Sequence, residues 1–355
     1  MHRSTAPQGG DRTAFHGAEW GSGRRASRKI SIACGASNKG RAGVTKSQLG
    51  LPPVTRRFVA VPMGQAQFAL YGALKDDAIR DILAIRGAGA ADLIRAKRSI
   101  MRLMQASTNP VAIVEAMLAD ARTLNRDRVA ALYHAVLQEG VSQKVLFAAD
   151  RARELIGQNR KVVIWTIFQS TIESMVDVAS DLSPVFINGT VESGSADDPT
   201  TREGKIRLFH ENPDCGLLVA NPAACSEGIS LHTVCHEAIY LDRGYNAAHY
   251  LQSIDRIHRL GLAPTIETNI SILQSITPTG LASIDYSVAR ALLRKLRVME
   301  AALEDEDIRQ ISLDEEENVN NQVFDDSRDL EDMNELLDLL VQKPTATQID
   351  EADMA

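Results

Sequence analysis

Between Gln252 and Gly261 the chain reads Gln-Ser-Ile-Asp-Arg-Ile-His-Arg-Leu-Gly. On a helix, Gln252, Arg256 and Arg259 fall at i, i+4 and i+7 and share one face, while Ile254 and Ile257 turn toward a core. Two guanidiniums on one face are planar and permanently charged, which suits a polyphosphate. In phosphoryl transfer such an arginine stabilises charge developing on the γ-phosphate, and its loss costs about 10³–10⁵ in rate. A solvated basic helix face is the other reading that this spacing allows. Asp255 either orients one of the arginines or forms an i, i+4 pair with Arg259. His258 has no metal partner at ligand spacing and is expected to pack or hydrogen bond.

Other reactive side chains are few. Cys34, Cys215, Cys225 and Cys235 include no Cys-x-x-Cys pair, so reduced, mostly buried thiols are expected and no metal site is. No Gly-x-x-x-x-Gly-Lys-Ser/Thr run occurs, and no acidic cluster of the magnesium-holding kind follows an apolar strand. Without those parts nothing in the sequence cradles the β- and γ-phosphates of a nucleotide, and the chain alone is not expected to turn over ATP.

The elements that must position the Gln252–Gly261 run alternate in type. Ser142–Ile156 has amphipathic helical spacing, and Lys161–Phe168 is a continuous apolar run of the kind buried on both faces of a sheet. A helix is expected over Ser170–Val178, a strand over Pro184–Asn188, a helix over Thr201–His210, and strands over Gly216–Ala220 and Ala238–Asp242. A helix over Asn246–Arg259 and a strand over Thr268–Leu273 follow. Strands alternating with helices predict an α/β fold, a doubly wound and mainly parallel sheet whose chemistry sits at the carboxyl ends of the strands. The two arginines are expected beside that ligand-bearing rim.

Upstream, Arg57–Val61 reads as a short strand and Gly64–Leu74 as a helix, with helical stretches continuing to residue 140, broken near Gly87–Gly89 and at Asn109-Pro110. Residues 1–48 are rich in Gly, Ser, Ala and Arg and almost free of acid, so a disordered basic leader is expected there. Leu281–Leu303 is a long helical stretch, and Leu330–Val341 a second, with Leu330, Met333, Leu336, Leu337 and Leu340 at helical spacing. The formal charge of −7 conceals an asymmetry. From residue 301 onward 18 acids face three basic residues, a net −15, which leaves the first 300 residues at +8. A basic body attracts polyanions, and an acidic tail competes with them or keeps the protein in solution. No apolar run approaches the roughly 20 residues of a membrane-spanning helix, so no membrane partner and a soluble, cytoplasmic protein are expected, nucleoid-associated if the source is prokaryotic.

Several runs match one family together. Gln252–Gly261 is similar to its motif VI, Lys161–Phe168 to motif IV, and Cys225–Leu231 to motif V. Asn188-Gly189-Thr190 resembles an Asp-Gly-Ser/Thr step, Arg202 and Phe209 fall where the next helix has an arginine and a phenylalanine, and Asp242 and Asn246 precede motif VI at family spacing. Leu51-Pro52-Pro53 and Lys144 match the segment that enters the second lobe. Over about residues 51–300 the chain thus resembles the second RecA-like lobe of Swi/Snf-type helicase-like ATPases of superfamily two. It departs from them at Cys225 and Ser226, where glycines are usual, at Gly244 and Tyr245, where a tryptophan-rich pair is, and at Leu262, in place of glutamine.

The resemblance implies roles. Arg256 and Arg259 would be fingers on ATP with Mg, oriented by Gln252, in a nucleotide site that Gly228, Glu227 and Asp255 border. Thr166, Gly189, Thr190, Ser230 and Asn246 would hold DNA phosphates, contacts that position without reading sequence. By residue type, each is also a helix cap or turn former. The nucleotide itself would be held mainly by a first RecA-like lobe on a separate or upstream chain. The corresponding division is a leader (1–48), an inter-lobe strand and helical segment (49–141), the lobe (142–300) and an acidic, partly helical tail (301–355). The alternative function is a non-catalytic DNA-binding or scaffolding module, or a truncated relic of such a motor.

Overall fold

The computed structural model describes residues 51–52, 54–84, 90–119, 126–225, 229–259, 261–263, 265–303 and 306–320. The basic leader, Glu227, Gly228 and the Leu330–Val341 stretch lie outside the described residues.

Six strands form one sheet in which every pairing is parallel: β1 (Val54–Pro62), β2 (Lys161–Trp165), β3 (Val185–Ile187), β4 (Leu217–Ala220), β5 (Cys235–Tyr240) and β6 (Thr268–Ile276). Their spatial order is β1-β6-β5-β2-β4-β3. β2 is central because four of its five residues are buried and it can be covered on both faces. Its side chains alternate with the pleat. Val162 and Ile164 join Leu217, Val219, Ile239 and Leu241 on one face, while Val163 and Trp165 join Leu218, Ala220, Ala238 and Tyr240 on the other.

The helices are divided accordingly. On the first face lie α5 (Gln143–Gly157) and α6 (Gln169–Val178), through Ala148, Ala152, Leu155, Ile172 and Met175. The second face is covered by α7 (Arg202–Glu211), α8 (Ala247–Ile257) and α9 (Ile284–Leu303), through Phe209, Ile254, Ile257, Val288 and Leu292. The sheet is therefore a doubly wound, parallel α/β sheet, as alternating strands and helices predict. Four further helices, α1 (Gln65–Ala84), α2 (Ala90–Thr108), α3 (Pro110–Ala119) and α4 (Arg126–Glu139), connect β1 to α5 and share the core of the second face. β1, read in the sequence as an inter-lobe strand, pairs along its whole length with β6 and is one edge of the same sheet.

Local signals explain several boundaries. The Ser142 hydroxyl caps α5 by accepting from Val145 N at 3.3 Å. Thr201 caps α7 in the same way, accepting from Gly204 N at 3.1 Å. A side chain at Gly204 would begin 1.8 Å from the carbonyl oxygen of Asp198, so only glycine fits the approach. α10 (Glu306–Asn320) falls within the acidic segment, packs against α9 and buries Glu315. Cys215, Cys225 and Cys235 are buried free thiols, and burial pushes those of Cys225 and Cys235 up to about 12. Among the described residues no helix is long and apolar enough to cross a membrane.

Candidate functional site

α8 has to leave the carboxyl end of β5 and return to the amino end of β6, because the two strands are parallel. Its first turn therefore stands at the carboxyl rim and its last turn at the opposite edge. The hydrogen bonds of the last turn agree. Leu231 N donates to the carbonyl of Arg256 at 2.9 Å, and the Leu231 carbonyl in turn accepts from Cys235 N, the first residue of β5. His258 reaches the other end of that edge, with Nε2 2.8 Å from the carbonyl oxygen of Pro52, just before β1.

Two expectations are corrected here. The arginines are not beside the carboxyl rim; they stand at the amino-terminal edge, for the topological reason just given. They also do not share a helix face, because α8 ends at Ile257 and His258 takes extended backbone angles (φ −127°, ψ 94°). The buried imidazole of His258, tied to Pro52, draws the chain out of the helix one residue before Arg259. Arg259 is consequently exposed on the strap that leads to β6, and Gln252 is exposed on α8 itself. Arg256 is half-buried, and its Nη1 donates to the carbonyl of Ile229 at 2.9 Å. Asp255 is half-buried beside it.

Ile229 belongs to the run that follows β4 and includes Ser230, whose hydroxyl lies 2.7 Å from Nδ1 of His232. The side chain of Ile229 also lines a cleft of about 340 Å³ along α7, together with Arg202, Ile206, Arg207 and His210. Arg202 and Arg256 both lie close enough to the buried Cys225 thiol to favour its charged form electrostatically, although burial dominates and raises its pKa. Two guanidiniums from different helices thus approach the ends of one short segment, 225–229. The sequence flagged Arg202 through its family position alone; its convergence with Arg256 depends on residues 54 positions apart meeting in the fold.

The other expected residues divide between the two edges. Gly189 and Thr190 follow β3 and are exposed at the carboxyl rim, where the Asn188 side chain accepts from Thr190 N at 3.2 Å and from its hydroxyl at 2.8 Å. Asn246 is exposed at the same rim and caps α8, its Oδ1 accepting from the backbone of Ala248 and His249. Ser230, by contrast, sits near the amino-terminal edge.

Thr166 belongs to neither surface. It is 0% exposed, and its hydroxyl donates to Asp242 Oδ2 at 2.7 Å while Ile167 N donates to Asp242 Oδ1 at 2.7 Å. These bonds latch the carboxyl end of β2 to that of β5. The latch closes the crevice between the two strands, from which α6 and α8 depart on opposite faces, so the expected phosphate contact from the Thr166 hydroxyl is corrected to an internal tie. Burial raises the Asp242 carboxyl to about 6 despite the two donors and nearby Lys144. Below it, Lys144 Nζ is 2.6 Å from Asp285 Oδ2, a pair with side-chain exposures of 1% and 10%. Asp285 also accepts from Ser275 N and from the Ser107 hydroxyl, which joins α2, α5, β6 and α9 under the rim.

Comparison with known proteins gives likenesses of fold. No family model matches the chain, and no curated protein does. Among solved structures it is similar to the C-terminal part of the Fun30 ATPase domain, with 20% identity over 68% of this chain and 89% of that one and a TM-score of 0.48. It is similar to the Sulfolobus solfataricus SWI2/SNF2 ATPase C-terminal domain, with 14% identity over 68% and 85% of the two chains and a TM-score of 0.45. It is also similar to the Sulfolobus solfataricus SWI2/SNF2 ATPase core in complex with dsDNA, with 17% identity, a TM-score of 0.49, and 77% of this chain against 50% of that one. At such identities and scores the likeness assigns no role to any residue of this chain.

Proposed function

We propose that the chain is the second lobe of a Swi/Snf-type, ATP-dependent DNA translocase, and that it acts on a nucleotide presented with Mg by a first lobe. Arg256 and Arg259 are the fingers. The observation that carries the reading is the junction of the two runs that resemble motifs V and VI: Arg256 holds the Ile229 carbonyl, and Leu231 N holds the Arg256 carbonyl, so the two runs move as one piece. Arg259, one step beyond the helix and exposed, is the guanidinium best placed to reach a ligand outside this lobe. Ser230 lies on the same edge, with Glu227 and Gly228 just before it in the sequence.

DNA is assigned to the carboxyl rim. Gly189, Thr190 and Asn246 are exposed there; the Gly189 N–H and the Asn246 side-chain amide nitrogen are donors suited to phosphates, while both Thr190 donors are turned inward to Asn188 and shape the turn that presents Gly189. With the nucleotide at one edge and DNA at the other, the lobe itself transmits between them, through a sheet whose β2 and β5 ends are tied by Asp242. A second reading, a non-catalytic DNA-binding or scaffolding module, is favoured by the structural employment of Arg256 and Asn246, the one on a carbonyl and the other in a helix cap.

Reconstitution separates the two. Mixed with a phosphate-loop lobe of the same type, the purified chain is expected to give ATP hydrolysis that DNA stimulates. A mixture that binds DNA with no gain in hydrolysis would support the scaffolding module.

A further inference from the structure

Gln274 is 1% exposed, and neither Nε2 nor Oε1 of its side chain has a hydrogen-bond partner among the described residues. A buried amide in that state opposes folding, which strips it of water and returns no bond. Gln274 lies in β6, and the register that sets Tyr240 opposite Ile272 brings Asp242, two residues on, beside it on the same face of the sheet. Asp285, at the start of α9, accepts from the backbone N of Ser275 at 2.7 Å, which holds its carboxylate next to the same amide. Between Asp242, Gln274 and Asp285 lies a cavity of about 10 Å³, bordered also by Arg243 and Val288. That is about the room that one water molecule takes.

The walls of this cavity select its occupant. A carboxylate can accept on both lone pairs of each oxygen, and Asp242 takes one donor on each, from Thr166 and Ile167, so acceptor capacity remains. Positive charge is already supplied. Lys144 Nζ lies 2.6 Å from Asp285 Oδ2 and also favours the ionised form of Asp242, and Arg243 borders the cavity. Among the described residues no group of three acidic, histidine or cysteine side chains could hold a metal ion. A small neutral molecule that both donates and accepts is what these walls match.

We propose that this cavity is a binding site for one water molecule, a fixed part of the fold that accepts from Gln274 Nε2 and donates to the Asp242 and Asp285 carboxylates. Three bonds are the usual complement of a buried water. One water cannot bridge both ends of one amide, and Nε2 is the end assigned because the two carboxylates already take the water's protons. The water joins the strand-end latch at Asp242 to the buried pair of Lys144 and Asp285, so β5, β6 and α9 are tied beneath the carboxyl rim.

A high-resolution crystal structure of the full chain, with rubidium chloride in the buffer, tests this. One density peak without anomalous signal is expected, within hydrogen-bond distance of Gln274, Asp242 and Asp285. A peak carrying the anomalous signal of rubidium would make this a cation site. No peak, or a Gln274 amide bonded directly to either carboxylate, would mean that no water is held. Each of these results overturns the proposal. Urea unfolding gives an independent reading, because methionine matches glutamine in size but has no N–H to donate. Gln274→Met is expected to lower the folding equilibrium constant about fivefold, the worth of one hydrogen bond. An unchanged or higher constant would show that the amide has no partner to lose. Should the variant fail to fold, the crystal structure of the unaltered chain still decides. The nucleotide-finger reading concerns the opposite edge and is untouched by either outcome.

Discussion

Asp242 illustrates how a single residue decides what a rim is for. Its carboxylate accepts from Thr166 and Ile167 and so ties two strand ends together, at the cost of sitting in a buried site that raises its pKa to about 6. An unfolded aspartate titrates near 3.9. The folded state therefore binds more protons than the unfolded one between about pH 4 and 6, and the stability that this group contributes at low pH is lost as pH rises through that window. Urea unfolding of the wild type and Asp242→Asn is expected to show the wild type losing on the order of 3 kcal/mol relative to the variant from pH 4 to 7. A difference that stays flat with pH would mean that the carboxyl is not buried as described. The sequence could show Asp242 and Thr166 only as family positions. Their bond joins residues 76 apart, and the burial that makes Thr166 an internal tie rather than a phosphate ligand comes from that pairing.

At the scale of elements, what was legible depended on whether the determining contacts are local. β2 could be read from a run of apolar residues, and α5 from its spacing and its serine cap. β5 was expected from Ala238, yet it begins at Cys235, because His236 and Glu237 break the apolar run while Arg160 and Asn269 satisfy Glu237 from outside it. α8 ends at Ile257 and not at Arg259 for the same reason: its stop signal is the contact of His258 with Pro52, 206 residues away. α10 is not legible in the acidic run because its anchor is a charge. Glu315 is buried against Arg243, whose guanidinium also faces the rings of Phe58 and Tyr250. Removing one partner of such a pair leaves the other buried and uncompensated, so Glu315→Ala is expected to destabilise the chain by about 3–5 kcal/mol in urea unfolding. A loss under about 1 kcal/mol, the usual range of exposed pairs, would show that α10 does not seal Arg243.

The whole molecule sets a basic body of +8 against a tail segment of −15. If Gly189, Thr190 and Asn246 line a DNA groove, affinity for duplex DNA should fall steeply with salt, log K dropping by about 0.9 per log unit of salt for each phosphate neutralised. Binding that ignores salt, or its absence at low salt, would remove DNA from the carboxyl rim. The fold places the proposed nucleotide fingers at the opposite edge from that groove, an arrangement set by the return path of α8 and not visible in the spacing of Gln252, Arg256 and Arg259. The division of labour rests on Arg259 touching a nucleotide held by another lobe. The most direct measurement is therefore single-turnover ATP hydrolysis by the reconstituted pair of lobes at saturating ATP and DNA, comparing wild type with Arg259→Ala. The rate constant is expected to fall by about 10³ or more with the Kd for DNA unchanged; an unchanged rate constant would contradict the assignment.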